Sequence, residues 1–452
     1  MSVSQQTDLR SKLSRLIVDY GMLGVLLLLC IFFSLLTVRD QYPTGIDAAD
    51  VLYDKIAAAT PAQTGIIILS RESGDDSLFA AALKEKLAAG GYANVHTISG
   101  DPSIIKTELK LYTDAAGFGG IIATTQAFAP VVRNIVSQIS PPAVETIMTP
   151  PSHRWPTFLL PDNIRNVANQ ITVIAIIAIG MTMVIITAGI DLSVGSLIAL
   201  SAVVTAWLVG QLGGGAASTS AMIAGALGGI LLCGAVGAFS GLMITRFRIP
   251  PFIATLAMMQ VAAGVAYIIS QGKPIYQIPD SFIWLGRGVD PLLKIPYAVI
   301  LMIVLYIAAH IVMTRTTTGR YIYAVGGNME AARLSGIRVR MILFLVYTVC
   351  GMLAGLGGVI MASQLKSGAP TYGLSYELYV IAAVVVGGTS LSGGEGRILG
   401  TLIGAFVIGV IQNGMNLTNV ESYTQKVILG LVILGAVLLD RMKQQGFRLK
   451  RT

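Results

Sequence analysis

Residues 384–411 read VVVGGTSLSGGEGRILGTLIGAFVIGVI, and the fold turns on what the string Leu391-Ser392-Gly393-Gly394-Glu395 within them is. The string reads like the signature loop of a nucleotide-hydrolysing enzyme. Such an enzyme needs a phosphate-cradling G-x-x-x-x-G-K-[ST] loop between a strand and a helix, and the chain contains none. Here LSGGE joins a short apolar run to an apolar helix of membrane length. It is a glycine-rich break between membrane helices, tolerated at membrane depth where protein or a cavity satisfies the freed backbone groups.

The rest of the chain supports that reading, because 54% of its 452 residues are apolar and 12% are charged. That is a membrane composition. A span takes roughly 20 apolar residues to cross about 30 Å of hydrocarbon. Such runs fall at roughly 171–189, 192–211, 219–244, 252–271, 296–313, 341–361, 376–388, 397–415 and 425–440. Residues 21–38 form a further run behind Arg10, Lys12 and Arg15, with no A-x-A-like cleavage site after it. It reads as a retained signal anchor, giving about ten spans. Cys30, Cys233 and Cys350 lie inside apolar runs without paired spacing, and His96, His153 and His310 are scattered. No metal or disulfide is implied.

Between the first run and residue 157 the character changes to soluble-domain charge density. Strands are expected at 64–70, 94–99 and 119–125, with helices at 75–89 and 102–115 between them, the second opened by Asp101-Pro102. Alternating strands and helices imply a small parallel sheet with right-handed crossovers. Residues 40–161 hold 12 acidic and 8 basic residues, against 11 and 23 in the remainder. The basic excess therefore belongs to the membrane part, where it marks cytoplasmic ends rather than nucleic-acid binding. Arg246 and Arg248 share one short loop, Arg315, Arg320, Arg333, Arg338 and Arg340 crowd a second, and Arg441, Lys443, Arg448, Lys450 and Arg451 fill the tail. With the N-terminus inside, all of these are cytoplasmic and the insert lies outside.

Gly189-Ile190-Asp191-Leu192-Ser193-Val194-Gly195 and Gly388-Thr389-Ser390-Leu391-Ser392-Gly393-Gly394 both fit G-x-x-L-S-x-G. Two such breaks in separate halves suggest an internal repeat, yet both turns fall on the cytoplasmic side, which suits an inverted repeat poorly. The alternatives are a chance match or a half-helix at 376–388 that turns back. Asp191 is a carboxylate beside a membrane segment, hence a functional candidate; its plainer role is to cap the next helix. The loop at 315–340, RTTTGRYIYAVGGNMEAARLSGIRVR, is too long and polar for a connector. In it Asn328 caps a short helix over 329–335 that Gly336 ends. That helix suits docking into another protein's cleft, the alternative being a surface helix on lipid headgroups.

At this loop the chain resembles ABC importer permeases of the ribose/xylose/arabinose and autoinducer-2 family, through GRYIYAVGGNMEAARLSGI. FLLPDNIRNVANQ, GMTMVIITAGIDLSVGSLIAL, IPPFIATLAMMQVAAGVAYIISQGKPI and VVVGGTSLSGGEGRILGTLIGAFVIGVIQNGMNL agree in order and spacing. The resemblance implies an all-α polytopic membrane protein with, in this chain, an inserted small α/β extracytoplasmic domain. Its expected parts are a cytoplasmic N-terminus and first span (1–38), the insert (39–157), a permease core (158–441) containing the coupling loop (314–340), and a cytoplasmic tail (442–452). The chain would import a monosaccharide or related small polar solute across a bacterial inner membrane. It would have no catalytic residues and bind no cofactor, ATP and Mg being used by a partner ATPase.

A second permease subunit, identical or paralogous, and a periplasmic binding protein complete the implied assembly, with no nucleic acid. By the resemblance, Gly327, Asn328, Glu330, Ala331, Ala332, Arg333 and Ser335 dock the ATPase. Asp191, Ser193, Thr255 and Gln260 are candidates for the translocation path, and Gly189, Gly195, Gly388, Gly393 and Gly394 form the helix breaks. The insert departs from the family pattern and resembles half of one lobe of a periplasmic sugar-binding protein. Docking or regulation ranks above ligand capture for it. The rival classes are an ion-coupled secondary transporter and a membrane sensor using the external domain.

Overall fold

The computed structural model describes residues 21–116, 120–139 and 144–444. The charges expected at Arg10, Lys12 and Arg15, and those of the tail at 445–452, lie outside the described residues. Two units divide the chain: one combines the residues up to Thr37 with Phe158 onward, and the other is Val38–Thr157.

In the first unit the apolar helix α1 (Gly21–Leu36) ends where Thr37 Oγ1 accepts the Phe158 N–H at 3.1 Å. The places where the chain leaves this unit and returns to it are thus pinned side by side. The second unit begins with β1 (Val38–Gln41), α2 (Gly45–Ala59), β2 (Ile66–Ser70), α3 (Asp75–Ala89) and β3 (Val95–Ser99). It continues through α4 (Pro102–Ala116), β4 (Gly120–Thr124), α5 (Ala129–Ser137), β5 (Val144–Met148) and β6 (His153–Pro156). Four strands form a parallel sheet in the order β3-β2-β4-β5, and β1 pairs antiparallel with β6. Strand alternation explains the layering: Ile66 and Ile68 pack with α2 and α3 on one face, while Ile67 and Leu69 pack with α4 and α5 on the other. The strands and helices expected from sequence fall within a few residues of β2, β3, β4, α3 and α4. A fourth strand, the β1/β6 ribbon, α2 and α5 are added.

Back in the first unit, α6 (Pro161–Ile186), α7 (Val194–Gln211), α8 (Thr219–Phe247) and α9 (Pro251–Ser270) follow one another. A short α10 (Trp284–Arg287) precedes α11 (Tyr297–Arg315), α12 (Thr317–Gly327) and α13 (Met329–Leu334). The chain then runs through α14 (Val339–Leu365), α15 (Tyr376–Val386), α16 (Ile398–Leu417) and α17 (Ser422–Gln444). Among the described residues seven helices, α6, α7, α8, α9, α11, α14 and α16, are long and apolar enough to cross a membrane, and α1, α15 and part of α17 are shorter apolar helices. The helix that holds the run expected at 171–189 begins earlier, because Pro161 sits at the first helical turn and α6 runs unbroken for 26 residues.

Glycines set how closely these helices approach. A Cβ on Gly237 of α8 would strike the Tyr347 carbonyl of α14 and lie 3.2 Å from Gly351 Cα. One on Gly355 would lie 2.9 Å from Ile230 Cα, so α8 and α14 meet backbone to backbone through small residues. Helix α6 is the axis of the unit: 89% of its apolar window is buried, against 28% for α8, 22% for α9 and 33% for α11.

Candidate functional site

The short helix α13 owes its form to its ends. Asn328 Oδ1 accepts the Ala331 N–H at 2.9 Å, satisfying one of the first free donors. Gly336, at φ +84°, supplies the left-handed residue that stops it. Asn328 also closes α12, so one residue serves both helices. Gly327, Asn328, Glu330, Ala331, Arg333 and Ser335 are exposed. Ala332 is not: it is 5% exposed and packed into the core of its own chain. Glu330 and Arg333 lie 3.7 Å apart on the outer face, flanked by Met329 and the 86% exposed Leu334.

Helix α12 ties this surface to the interior through Ile322 and Val325, both buried. Its Tyr323 hydroxyl donates to the Gly396 carbonyl at 2.7 Å. Burial raises that phenol's pKa, opposed by the nearby Arg397 guanidinium, so it remains a neutral donor at ordinary pH. The LSGGE turn is therefore the inner neighbour of the α12–α13 surface. Its Gly394 N–H donates to the Ile186 carbonyl at the end of α6, at 2.9 Å. Gly393 and Gly394, at φ +84° and +77°, hold a conformation that favours glycine. A Cβ on Gly393 would lie 2.9 Å from Ala188 Cβ, which places the two G-x-x-L-S-x-G breaks against each other.

The first break runs on to Asp191, which is wholly buried. Its Oδ1 accepts from the Ser193 backbone at 2.9 Å and from the Ser193 hydroxyl at 2.6 Å. The helix cap expected of Asp191 is not formed: Ser193 holds the N-cap position of α7 without a side-chain cap bond, and Asp191 instead closes a local turn onto Ser193, because its carboxylate is spent there before the first free N–H groups of the helix. The Cys350 thiol is a side-chain hydrogen-bonding neighbour of the Asp191 carboxylate, and the buried Tyr347 hydroxyl has no hydrogen-bond partner among the described residues. Thr255 Oγ1 donates to the Ile190 carbonyl at 3.2 Å and the Pro251 carbonyl at 2.9 Å. Asp191, Ser193 and Thr255 therefore gather around one loop, whereas Gln260 is exposed further along α9. A Cβ on Gly195 would meet the Glu377 carboxylate and the Gly373 carbonyl, and one on Gly189 the Tyr347 hydroxyl. Gly388, at φ +88°, faces open space. Tyr323, Gly326, Tyr347 and Glu377 were not legible as partners, because each meets its neighbour across a long sequence gap. Among the described residues no three His, Cys, Asp or Glu gather into a metal-ligating group.

At the other ends of α7 and α9 lies an open cavity of about 480 Å³. Trp207, Gln211, Ser270, Gln271, Tyr276 and Gln277 contribute its polar and aromatic lining, and no lining residue is charged. The loop at 274–277 is fixed there by paired backbone bonds between Ile275 and Gly368, at 2.8 and 2.9 Å.

A family model described as branched-chain amino acid transport system / permease component matches residues 163–437. The chain belongs to this permease family. The ribose import permease RbsC of Escherichia coli strain K12 is 46% identical over 293 residues, 64% of this chain and 88% of that protein. RbsC of Bacillus subtilis strain 168 is 46% identical over 290 residues, 64% of this chain and 87% of its own. The L-arabinose ABC transporter permease AraH of Azospirillum brasilense is 38% identical over 293 residues, 65% and 84% of the two chains. No solved structure matches the permease. With these relatives the permease is the transmembrane subunit of a simple-sugar ABC importer, energised by a separate ATPase subunit and not itself an enzyme. The family match lies inside the first unit, and Val38–Thr157 falls outside it.

Proposed function

We propose that the permease imports a neutral monosaccharide of the ribose type, driven by an ATPase that docks on the outer face of α12 and α13. The observation that carries the substrate class is the 46% identity to RbsC across 88% of that protein. The uncharged, amide- and aromatic-lined cavity agrees with it. A zwitterionic amino acid would need charged partners for both its carboxylate and its ammonium once removed from water, whereas sugar hydroxyls need neutral donors and acceptors.

The docking surface comprises Gly327, Asn328, Glu330, Ala331, Arg333 and Ser335, with Ala332 anchoring the helix from within. ATP and Mg belong to the partner, and this chain binds no cofactor. A second permease subunit, the same or paralogous, completes the path past Asp191, Ser193 and Thr255, and a periplasmic binding protein delivers the sugar. About ten helices traverse or enter a bacterial inner membrane, α1, α15 and α17 adding to the seven long ones. Both termini are cytoplasmic and the α/β unit is periplasmic, where it serves docking or regulation.

ATP-dependent uptake of D-ribose into proteoliposomes holding permease, ATPase and binding protein tests the reading, with Glu330→Arg as control. Loss of uptake and of ATPase co-purification in folded Glu330→Arg supports it. Uptake indifferent to ATP and to the substitution, but following an ion gradient, overturns it.

A further inference from the structure

Three segments distant in sequence meet by backbone contact at the inner side of the docking surface. The end of α6 leaves carbonyl groups without intrahelical donors, and the Ile186 carbonyl takes its hydrogen bond from Gly394 of the LSGGE turn at 2.9 Å. Gly326, near the end of α12, is pressed into the same contact: a Cβ there would overlap the Ile186 carbonyl and lie 2.7 Å from Gly394 N. A Cβ on Gly394 would in turn lie 2.9 Å from Gly327 Cα. One turn back on α12, Tyr323 holds the same turn through the Gly396 carbonyl at 2.7 Å. Where Ile186, Gly326 and Gly394 meet, backbone faces backbone.

The connections on either side have little slack. Asn328 is at once the last cap of α12 and the first cap of α13, so the two helices share a rigid corner. Beyond Ile186, the Gly189 N–H returns to the Val184 carbonyl at 3.0 Å and Ala188 sits at φ +60°. Asp191 then clamps Ser193 at the mouth of α7, and Thr255 of α9 binds the intervening Ile190 carbonyl. A shift of α13 therefore cannot be absorbed between the surface and the Asp191 break. Close-packed contacts of this kind move as bodies between discrete arrangements rather than compress.

We propose that the LSGGE turn is the joint through which movement of the docking helix reaches the Asp191 break, with Tyr323, Gly326 and Gly394 as its positioning residues. The proposal rests on the reading of α13 as the ATPase-docking helix. It gives the glycine motif a mechanical role at the membrane subunit.

The test uses the whole reconstituted importer and reads sugar moved per ATP hydrolysed, beside ATPase co-purification. General destabilisation lowers transport and coupled hydrolysis together, so the ratio isolates the joint. Tyr323→Phe keeps the ring and removes one hydrogen bond; it is expected to retain the ATPase while the ratio falls several-fold. Gly326→Ala forces the contact apart and is expected to lower the ratio at least tenfold. If Gly326→Ala does not fold, Tyr323→Phe decides alone. A wild-type ratio in Tyr323→Phe, with Glu330→Arg still releasing the ATPase, overturns the joint and leaves the docking reading intact. An ATPase that stays bound to Glu330→Arg overturns the docking reading, and the joint with it.

Discussion

Gly237 shows how much one missing methyl group decides. Its Cα faces the Tyr347 carbonyl and Gly351 across the α8–α14 contact, with no room for a side chain. Gly237→Leu must push the helices apart or distort rotamers, and overpacking of this sort costs about 1–3 kcal/mol. A lowered thermal midpoint in detergent, read against Gly264→Leu where an added Cβ meets nothing within 4 Å, is the expected outcome. The sequence displays 50 glycines but not which of them face a neighbouring backbone. Asp191 was read from sequence as a helix cap, whereas its carboxylate closes a turn onto Ser193, two residues away. Its other neighbours, Tyr347 and Cys350, lie far along the chain. Gln260 looked equivalent to Thr255 in sequence, yet it faces outward on α9 because five residues carry a helix more than one turn.

Helix boundaries were legible wherever the signal was local. The asparagine opening α13 and the glycine closing it are one-residue devices, and each sits where its chemistry demands. The seven long apolar helices were legible for the same reason, since apolar run length is a property of one segment. Helix α15 marks the limit: 11 residues give about 16 Å of helix, short of the roughly 30 Å of hydrocarbon. Between α9 and α11, the connection is clasped by Lys366 at the end of α14, which bonds and ion-pairs with Asp280. The Lys366 ammonium holds the Asp280 carboxyl below the usual carboxylate range. A lowered folded value means the clasp contributes fully above about pH 4, the ordinary aspartate value, and is lost as pH falls through the lowered one. In a variant keeping Trp284 as its sole tryptophan, emission should shift at acid pH. With Lys366→Met added, it should already be shifted at neutral pH.

Across the whole molecule, equal hydropathy hides unequal surroundings. Helices α6 and α9 score alike in mean hydropathy, at 2.1 and 2.0, yet 89% of one window is buried and 22% of the other. Lipid and protein interior are both apolar, so composition cannot separate an axial helix from a peripheral one. The exposed faces of α8, α9 and α11 are where bilayer or a second subunit is to be expected, and charged substitutions there, such as Ile268→Lys, should lower membrane insertion or assembly while the isolated fold survives. The α/β unit was legible as an alternation of strands and helices, but β5 and the β1/β6 ribbon were not, because a ribbon is made by residues more than 100 positions apart. The hydrogen bond from Phe158 to Thr37 has a last consequence. A chain that departs and returns at touching points is modular: the 38–157 segment is a cassette, replaceable by a short Gly-Ser linker without stretching what remains. A graft of this kind should insert and bind its ATPase as the full chain does, and the same two residues offer a ready port for splicing in a reporter domain of another design.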